Sequence, residues 1–199
     1  MKKIRSFVNG EYVEPSVWES CLDPTTGDVY AKYGVATNSQ VNDAVTAARE
    51  ALSGEWGAMS VEDRVDLLYR VADRINARFD EFLDAECLDT GKPQSLAKKI
   101  DIPRGAANFK VFADTIKNVS DEAFHMPTPD GAGALNYSIH KPKGVIGVIG
   151  PWNLPLLLMT WKAGPALACG NAVVVKPSEE TPATTSLLGE VMNDCGVPA

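Results

Sequence analysis

Residues 143–182 read KGVIGVIGPWNLPLLLMTWKAGPALACGNAVVVKPSEETP, and this stretch decides the fold. Residues 144–150 are a short apolar run closed by Pro151, and residues 172–175 are a valine-rich run that Lys176 and Pro177 end; both suit buried strands. Between them, residues 154–168 are apolar nearly all round. In a globular protein that composition predicts a helix buried on every side, with Gly170 and Asn171 supplying left-handed residues at its end. The unit is strand, crossover helix, strand, which joins parallel strands. Ligands of such sheets bind beyond the carboxyl ends of the strands. The expected fold class is therefore α/β, a Rossmann-like open parallel sheet flanked by helices. The chemistry is expected at Pro151-Trp152-Asn153 and Lys176-Pro177-Ser178-Glu179.

The remaining composition narrows the class of protein. At 199 residues and 45% hydrophobic content the chain can bury a full core without disulfide or metal staples. A net charge of −7 without a basic cluster argues against nucleic acid or an anionic membrane surface as partner. The apolar runs are interrupted before a bilayer-spanning length, and the opening MKKIRSFVNGEYVEP has no apolar signal region, so a soluble, cytoplasmic protein is expected. Cys21, Cys87, Cys169 and Cys195 are widely spaced, and His125 and His140 are not at ligand spacing; reduced thiols and no metal site follow.

Upstream of the deciding stretch, residues 7–13 (FVNGEYV) alternate around Asn9-Gly10, a strong hairpin signal, and residues 19–35 repeat the pattern around DPTTG. Asn38 or Ser39 is expected to cap a helix with Val41, Ala44, Val45, Ala48 and Leu52 on one face. Ser60 opens a second helix with Val65, Leu68, Ala72 and Ile75 as its buried stripe. A third follows from Phe79 after an Asp80 cap and stops at Thr90-Gly91. Asp101-Ile102-Pro103 then reads as cap and proline at the start of a fourth, with Ala106, Phe109, Ala113 and Ile116 inward. Residues 126–133 read as a loop and 134–141 as an exposed strand, while Thr181-Pro182 starts a last helix ended by Gly196.

Several residues carry two readings. Asn153 is either a helix N-cap or an amide held where the sheet opens to ligand. Lys176 and Glu179 are either ligands to a phosphate and a ribose or a surface ion pair. Lys162 interrupts an apolar helix, and a buried lysine there needs a partner or a shifted pKa. Arg104 sits in a predicted first helical turn, where the dipole gives a cation no support; it is either an exposed helix arginine or has another task. No cysteine looks nucleophilic, and all four read as small buried apolar side chains. No GxGxxG follows a strand into a helix.

Together, Pro151-Trp152-Asn153, Trp161-Lys162-Ala163-Gly164-Pro165-Ala166-Leu167, Gly170-Asn171 and Val175-Lys176-Pro177-Ser178-Glu179 with Thr181-Pro182 resemble the aldehyde dehydrogenase superfamily. The resemblance runs along the whole chain. Asp101-Ile102-Pro103-Arg104, with Asn108-Phe109 and Phe112-Ala113-Asp114, further resembles the branch that oxidises 2-hydroxymuconic and 2-aminomuconic semialdehydes. The resemblance implies a coenzyme-binding domain over residues 1–123 and 143–199 and an oligomerisation hairpin segment at 124–142. It also implies NAD as cofactor, a small-molecule aldehyde as substrate and a homo-oligomer, dimer or tetramer. Asn153 would donate to the oxyanion, with Lys162 as a second catalytic residue. Ile149, Gly150, Pro151, Trp152, Lys176, Ser178 and Glu179 would bind cofactor, and Arg104 the substrate carboxylate. The family's nucleophilic cysteine, general-base glutamate and glycine-bearing cofactor loop lie downstream of the motif ending at Ala199, so a truncated coenzyme domain, without a catalytic domain and inactive by itself, is expected. The competing expectation is a noncatalytic nucleotide-binding or assembly module that ends naturally at Ala199.

Overall fold

The computed structural model describes residues 2–198. Strand β1 (Lys2–Ile4) leads into the hairpin β2 (Ser6–Val8) and β3 (Glu11–Val13), turned by Asn9 and Gly10 at φ 51° and 79°. Both turn residues have positive φ, the geometry that an Asn-Gly pair accepts at least cost. Strands β4 (Val17–Leu22) and β5 (Val29–Val35) pair antiparallel, and β1 joins β5 in parallel.

Helix α1 (Asn38–Ser53) is capped by Thr37, one residue earlier than the sequence predicts. Thr37 is extended, its Oγ1 accepts the Gln40 N–H at 3.2 Å, and Gln40 Oε1 accepts the Thr37 N–H at 2.9 Å. Gln40 completes a capping box that neither Asn38 nor Ser39 could close. On α1 Ala47 is buried while Val41 is exposed, so the inward stripe is rotated from the expected one. The short α2 (Glu55–Ala58) buries Trp56, whose Nε1 donates to the Asn171 carbonyl at 3.1 Å. Helix α3 (Val61–Ala77) starts at Ser60 and buries Val65, Leu68, Ala72 and Ile75 as predicted.

Helix α4 (Phe79–Thr90) follows α3 directly through Arg78, which leaves Asp80 inside the first turn instead of capping it; Gly91, at φ 67°, ends the helix. The short α5 (Gln94–Leu96), a π-helical turn at Ala97–Asp101 and α6 (Ile102–Lys117) run on without a break. Asp101 is helical and caps nothing, and Arg104 is therefore not at a helix start; the dipole argument for it falls away. An exposed hairpin follows, β6 (Ala123–Met126) and β7 (Ala134–Tyr137), with the strand expected over 134–141 ending at Tyr137.

The deciding stretch folds as β8 (Val145–Ile149), α7 (Pro155–Ala168) and β9 (Ala172–Lys176), with β8 and β9 parallel and Ile149 opposite Lys176. These strands are less buried than predicted, since Ile149 and Val175 are exposed and the pair is two-stranded among the described residues. Helix α7 is likewise not covered all round: Trp161 and Lys162 are exposed. Of the two residues expected to be left-handed only Gly170 is, at φ 80°. Asn171 instead brackets the unit. Its Oδ1 accepts the N–H groups of Lys143 and Gly144 at 2.6 and 3.1 Å, and its Nδ2 donates to the Ala166 carbonyl at 3.0 Å.

Helix α8 (Ala183–Asp194) closes the described chain. Helices α3, α4, α6, α7 and α8 enclose one core, with Phe82, Phe109, Leu68, Leu156 and Val191 fully buried. Where α6 crosses α7, a Cβ on Gly105 would stand 2.8 Å from Leu156 Cγ, so only glycine permits this approach. Among the described residues no helix is long and apolar enough to cross a membrane.

Candidate active site at the ends of two parallel strands

The register that sets Ile149 against Lys176 brings the two predicted strand ends side by side, and the Gly150 N–H donates to the Lys176 carbonyl at 2.9 Å. Ile149, Trp152 and Asn153 are exposed, Pro151 is half-buried and Gly150 is buried. A Cβ on Gly150 would meet Met159 Cε at 2.6 Å, so the turn out of β8 lies flat on α7. Asn153 is not the N-cap. Leu154 occupies that position, and the Asn153 amide has no hydrogen-bond partner among the described residues. A rigidly entered, exposed and unpaired amide is free to donate to a ligand.

At the other strand end, Lys176 Nζ lies 3.0 Å from Glu179 Oε2 and 3.0 Å from the Pro177 carbonyl. Backbone hydrogen bonding first, then Lys176, hold the Glu179 carboxyl below its usual range. It is therefore an ionised acceptor whose exposed oxygens suit the two hydroxyls of a ribose, and the ammonium beside it suits a phosphate or a sugar oxygen. Ser178 is buried, its Oγ accepting the Glu180 N–H at 3.3 Å. The donor set fits a dinucleotide lying across the two strand ends.

Lys162 departs from the buried lysine expected of its helix. It stands on the open face of α7 and its Nζ donates to the Ile149 carbonyl at 2.5 Å, fastening the end of β8. Arg104 is exposed on α6, and among the described residues its guanidinium makes no ion pair or hydrogen bond. Gly105, the next residue, packs on Leu156 of the first turn of α7.

Beneath the Asn153 turn lies a cluster that the sequence reading missed. Lys92 Nζ donates to Glu86 Oε1 at 3.1 Å, Asp101 Oδ2 at 2.6 Å and the Asn153 carbonyl at 3.0 Å. The three side chains are 11%, 0% and 2% exposed for Lys92, Glu86 and Asp101. Glu86 Oε2 also accepts the Leu156 N–H at 3.3 Å, one of the otherwise unpaired donors of the first turn of α7. Burial pushes Glu86 up to about 7 despite the opposing pull of Lys92. One signal was present in the sequence: Glu86 lies four residues after Phe82 and Asp89 three further on, so two carboxylates share the helix face that Phe82 buries, and each needs a partner there. The Lys92 contact itself had none, because 61 residues separate it from Asn153.

The cysteines divide. Cys21 is buried and pushed up to about 11 by desolvation, and burial raises Cys87 and Cys195 as well. Cys169 is exposed, and Cys87 and Cys195 are half-buried, so the expectation of four buried thiols holds for Cys21 alone. Cys169 follows the C-terminal end of α7.

The family profile of the aldehyde dehydrogenases matches residues 12–199. The chain belongs to the aldehyde dehydrogenase family. Over its whole length it is 66% identical to a 2-hydroxymuconic semialdehyde dehydrogenase of Pseudomonas sp. (strain CF600), of which it covers 41%. It is 54% identical to a 2-aminomuconic 6-semialdehyde dehydrogenase of Pseudomonas sp., of which it covers 40%. The NAD+ complex structure of an aldehyde dehydrogenase from Bacillus cereus superposes with a TM-score of 0.93 at 35% identity, over 99% of this chain and 40% of that one. The chain thus spans about two fifths of the length of the aldehyde dehydrogenases it resembles. Their shared architecture agrees with the α/β class expected from residues 143–182.

Proposed function

We propose that this chain forms most of the coenzyme-binding domain of an NAD-dependent dehydrogenase that oxidises a muconic-type semialdehyde to its carboxylic acid. The observation that carries the reading is the unpaired Asn153 amide at the end of β8, set beside the Lys176–Glu179 pair by the Ile149–Lys176 register. The identity to semialdehyde dehydrogenases supports the substrate class. Residues 1–123 and 143–199 belong to the coenzyme domain in this reading. The segment 124–142, with Phe124, Leu135 and Tyr137 exposed, reaches a neighbouring subunit of a cytoplasmic homodimer or homotetramer.

Aldehyde, NAD+ and water give carboxylate, NADH and protons; NAD, when bound, supplies the hydride acceptor. Glu179, held ionised, would accept the ribose hydroxyls, and Lys176 beside it would face the adjoining oxygens. Ile149, Gly150, Pro151 and Trp152 form the wall of the cofactor cleft, and buried Ser178 keeps the β9 turn in shape. When a nucleophile adds to the aldehyde carbon, the carbonyl oxygen gains negative charge, and the Asn153 amide donates to it there. Lys162 serves this centre by holding the end of β8. Arg104 receives the carboxylate remote from the aldehyde, for which a planar guanidinium offers a two-point grip. The nucleophilic thiolate comes from outside these 199 residues, consistent with the raised Cys21, Cys87 and Cys195.

The test is turnover by the full-length protein. With NAD and 2-hydroxymuconic semialdehyde, NADH should accumulate, and more slowly with an uncharged aldehyde of equal length. Preference for the uncharged aldehyde, or no NADH with either, would sink the proposal.

A further inference from the structure

Lys92 has three protons to donate, and the structure gives each an acceptor: Glu86 Oε1, Asp101 Oδ2 and the backbone carbonyl of Asn153. Asp101 ends the π-helical turn at Ala97–Asp101 with its carboxylate buried, and insertions of this kind inside helices are frequent at functional sites. Two buried carboxylates around one ammonium are a poor device for stability alone, because replacement of such a group by apolar side chains is often neutral or stabilising. What the arrangement does accomplish is geometric. It fixes the carbonyl of the residue whose amide is exposed and unpaired, and through Glu86 it fixes the Leu156 N–H three residues on.

We propose that Lys92, held by Glu86 and Asp101, is the positioning residue for the Asn153 amide, setting where its N–H points when the aldehyde oxygen becomes anionic. The inference rests on the reading of Asn153 as oxyanion donor. Lys92 touches neither substrate nor cofactor; it acts through the Asn153 backbone. A shift of about 1 Å in a donor of this type lowers turnover by about 100-fold, so a small loosening of the turn is enough to register.

The experiment is a double-mutant cycle in the full-length enzyme. Lys92→Met should lower kcat about 10- to 100-fold with KM for NAD unchanged, and on an Asn153→Ala background it should lower kcat little further. Where Lys92→Met does not fold, Asp101→Asn takes its place in the cycle; it leaves one ammonium facing one carboxylate and loosens the 2.6 Å contact. Its loss should be smaller and likewise vanish when Asn153 is Ala. Equal losses on both backgrounds would show that the cluster supports the fold generally and would overturn the inference. A large loss in Asn153→Ala with none from either cluster variant would overturn it while leaving the oxyanion reading intact. No loss in Asn153→Ala would overturn both.

Discussion

Glu86 and Asp89 stand about one turn apart on α4, and each receives a first-turn N–H of a different helix. Glu86 Oε2 accepts from Leu156 at 3.3 Å at the start of α7, and Asp89 Oδ2 accepts from Ala183 at 2.9 Å at the start of α8. These are the helices that follow β8 and β9, so α4 sets the height at which both leave the strand ends. Neither helix has a side-chain cap of its own. Thr181, the residue predicted to start α8, leaves its hydroxyl without a partner.

The two carboxylates make stability depend on pH in an unusual direction. Burial pushes Asp89 up to about 6 and Glu86 to about 7, so the native state holds protons that the unfolded chain has already released. Their stabilising share is complete below the unfolded value near pH 4 and is lost as pH rises through 6 to 7. From 3.8 to about 6, at about 1.4 kcal/mol per pH unit, Asp89 contributes about 3 kcal/mol. Full-length protein should therefore melt higher at pH 5 than at pH 8, and Asp89→Asn should reduce the difference. A Tm that rises steadily from pH 5 to pH 8 would refute the assignment.

Substrate choice should depend on Arg104. A charge-assisted hydrogen bond contributes about 1.5–3 kcal/mol, so Arg104→Ala in the full-length enzyme should raise KM about 10- to 150-fold for the carboxylated semialdehyde. An uncharged aldehyde should respond little. Arg104 is exposed and unpaired among the described residues, so the variant should keep its Tm; equal kinetic losses on both substrates would remove it from the site.

Cofactor choice should depend on Glu179. Its carboxyl is held ionised, and that charge repels a 2′-phosphate while accepting the ribose hydroxyls. NAD should be preferred over NADP, and Glu179→Gln should narrow the ratio of their kcat/KM values. An unchanged ratio would show that the carboxylate lies away from the adenosine ribose.

Two helical glycines should respond oppositely to alanine. On Gly105 an added Cβ would stand 2.8 Å from Leu156 Cγ in the core, whereas on Gly189, within α8, it meets nothing within 4 Å. Alanine gains about 1 kcal/mol of helix propensity at either site, but overpacking at Gly105 costs about 1–3 kcal/mol. Gly189→Ala should raise the denaturation midpoint and Gly105→Ala should lower it. A higher midpoint for Gly105→Ala would mean that Leu156 moves aside freely.

Local chemistry was enough for the elements that the sequence revealed. Asn9-Gly10 demanded a turn with positive φ, and the 3.6-residue stripe of Val65, Leu68, Ala72 and Ile75 demanded one buried face. The strand, helix, strand order of residues 143–182 left only a parallel crossover. Each depends on residues within a few positions of one another. The misplaced caps show where that reach ended, since Asp101 looks like a cap until its carboxylate finds Lys92.

By itself, the sequence determined the α/β class, the two strand ends and the residue types displayed there, because backbone conformation and hydrophobic periodicity are settled by near neighbours. Tertiary structure alone decided that Lys162 is exposed, that Asn153 caps nothing, and that Lys92 reaches its carbonyl across 61 positions of chain. Burial and partnership are properties of the packed chain. A carboxylate or an ammonium acquires its charge state and its task only when a distant segment removes its water and supplies its hydrogen bonds.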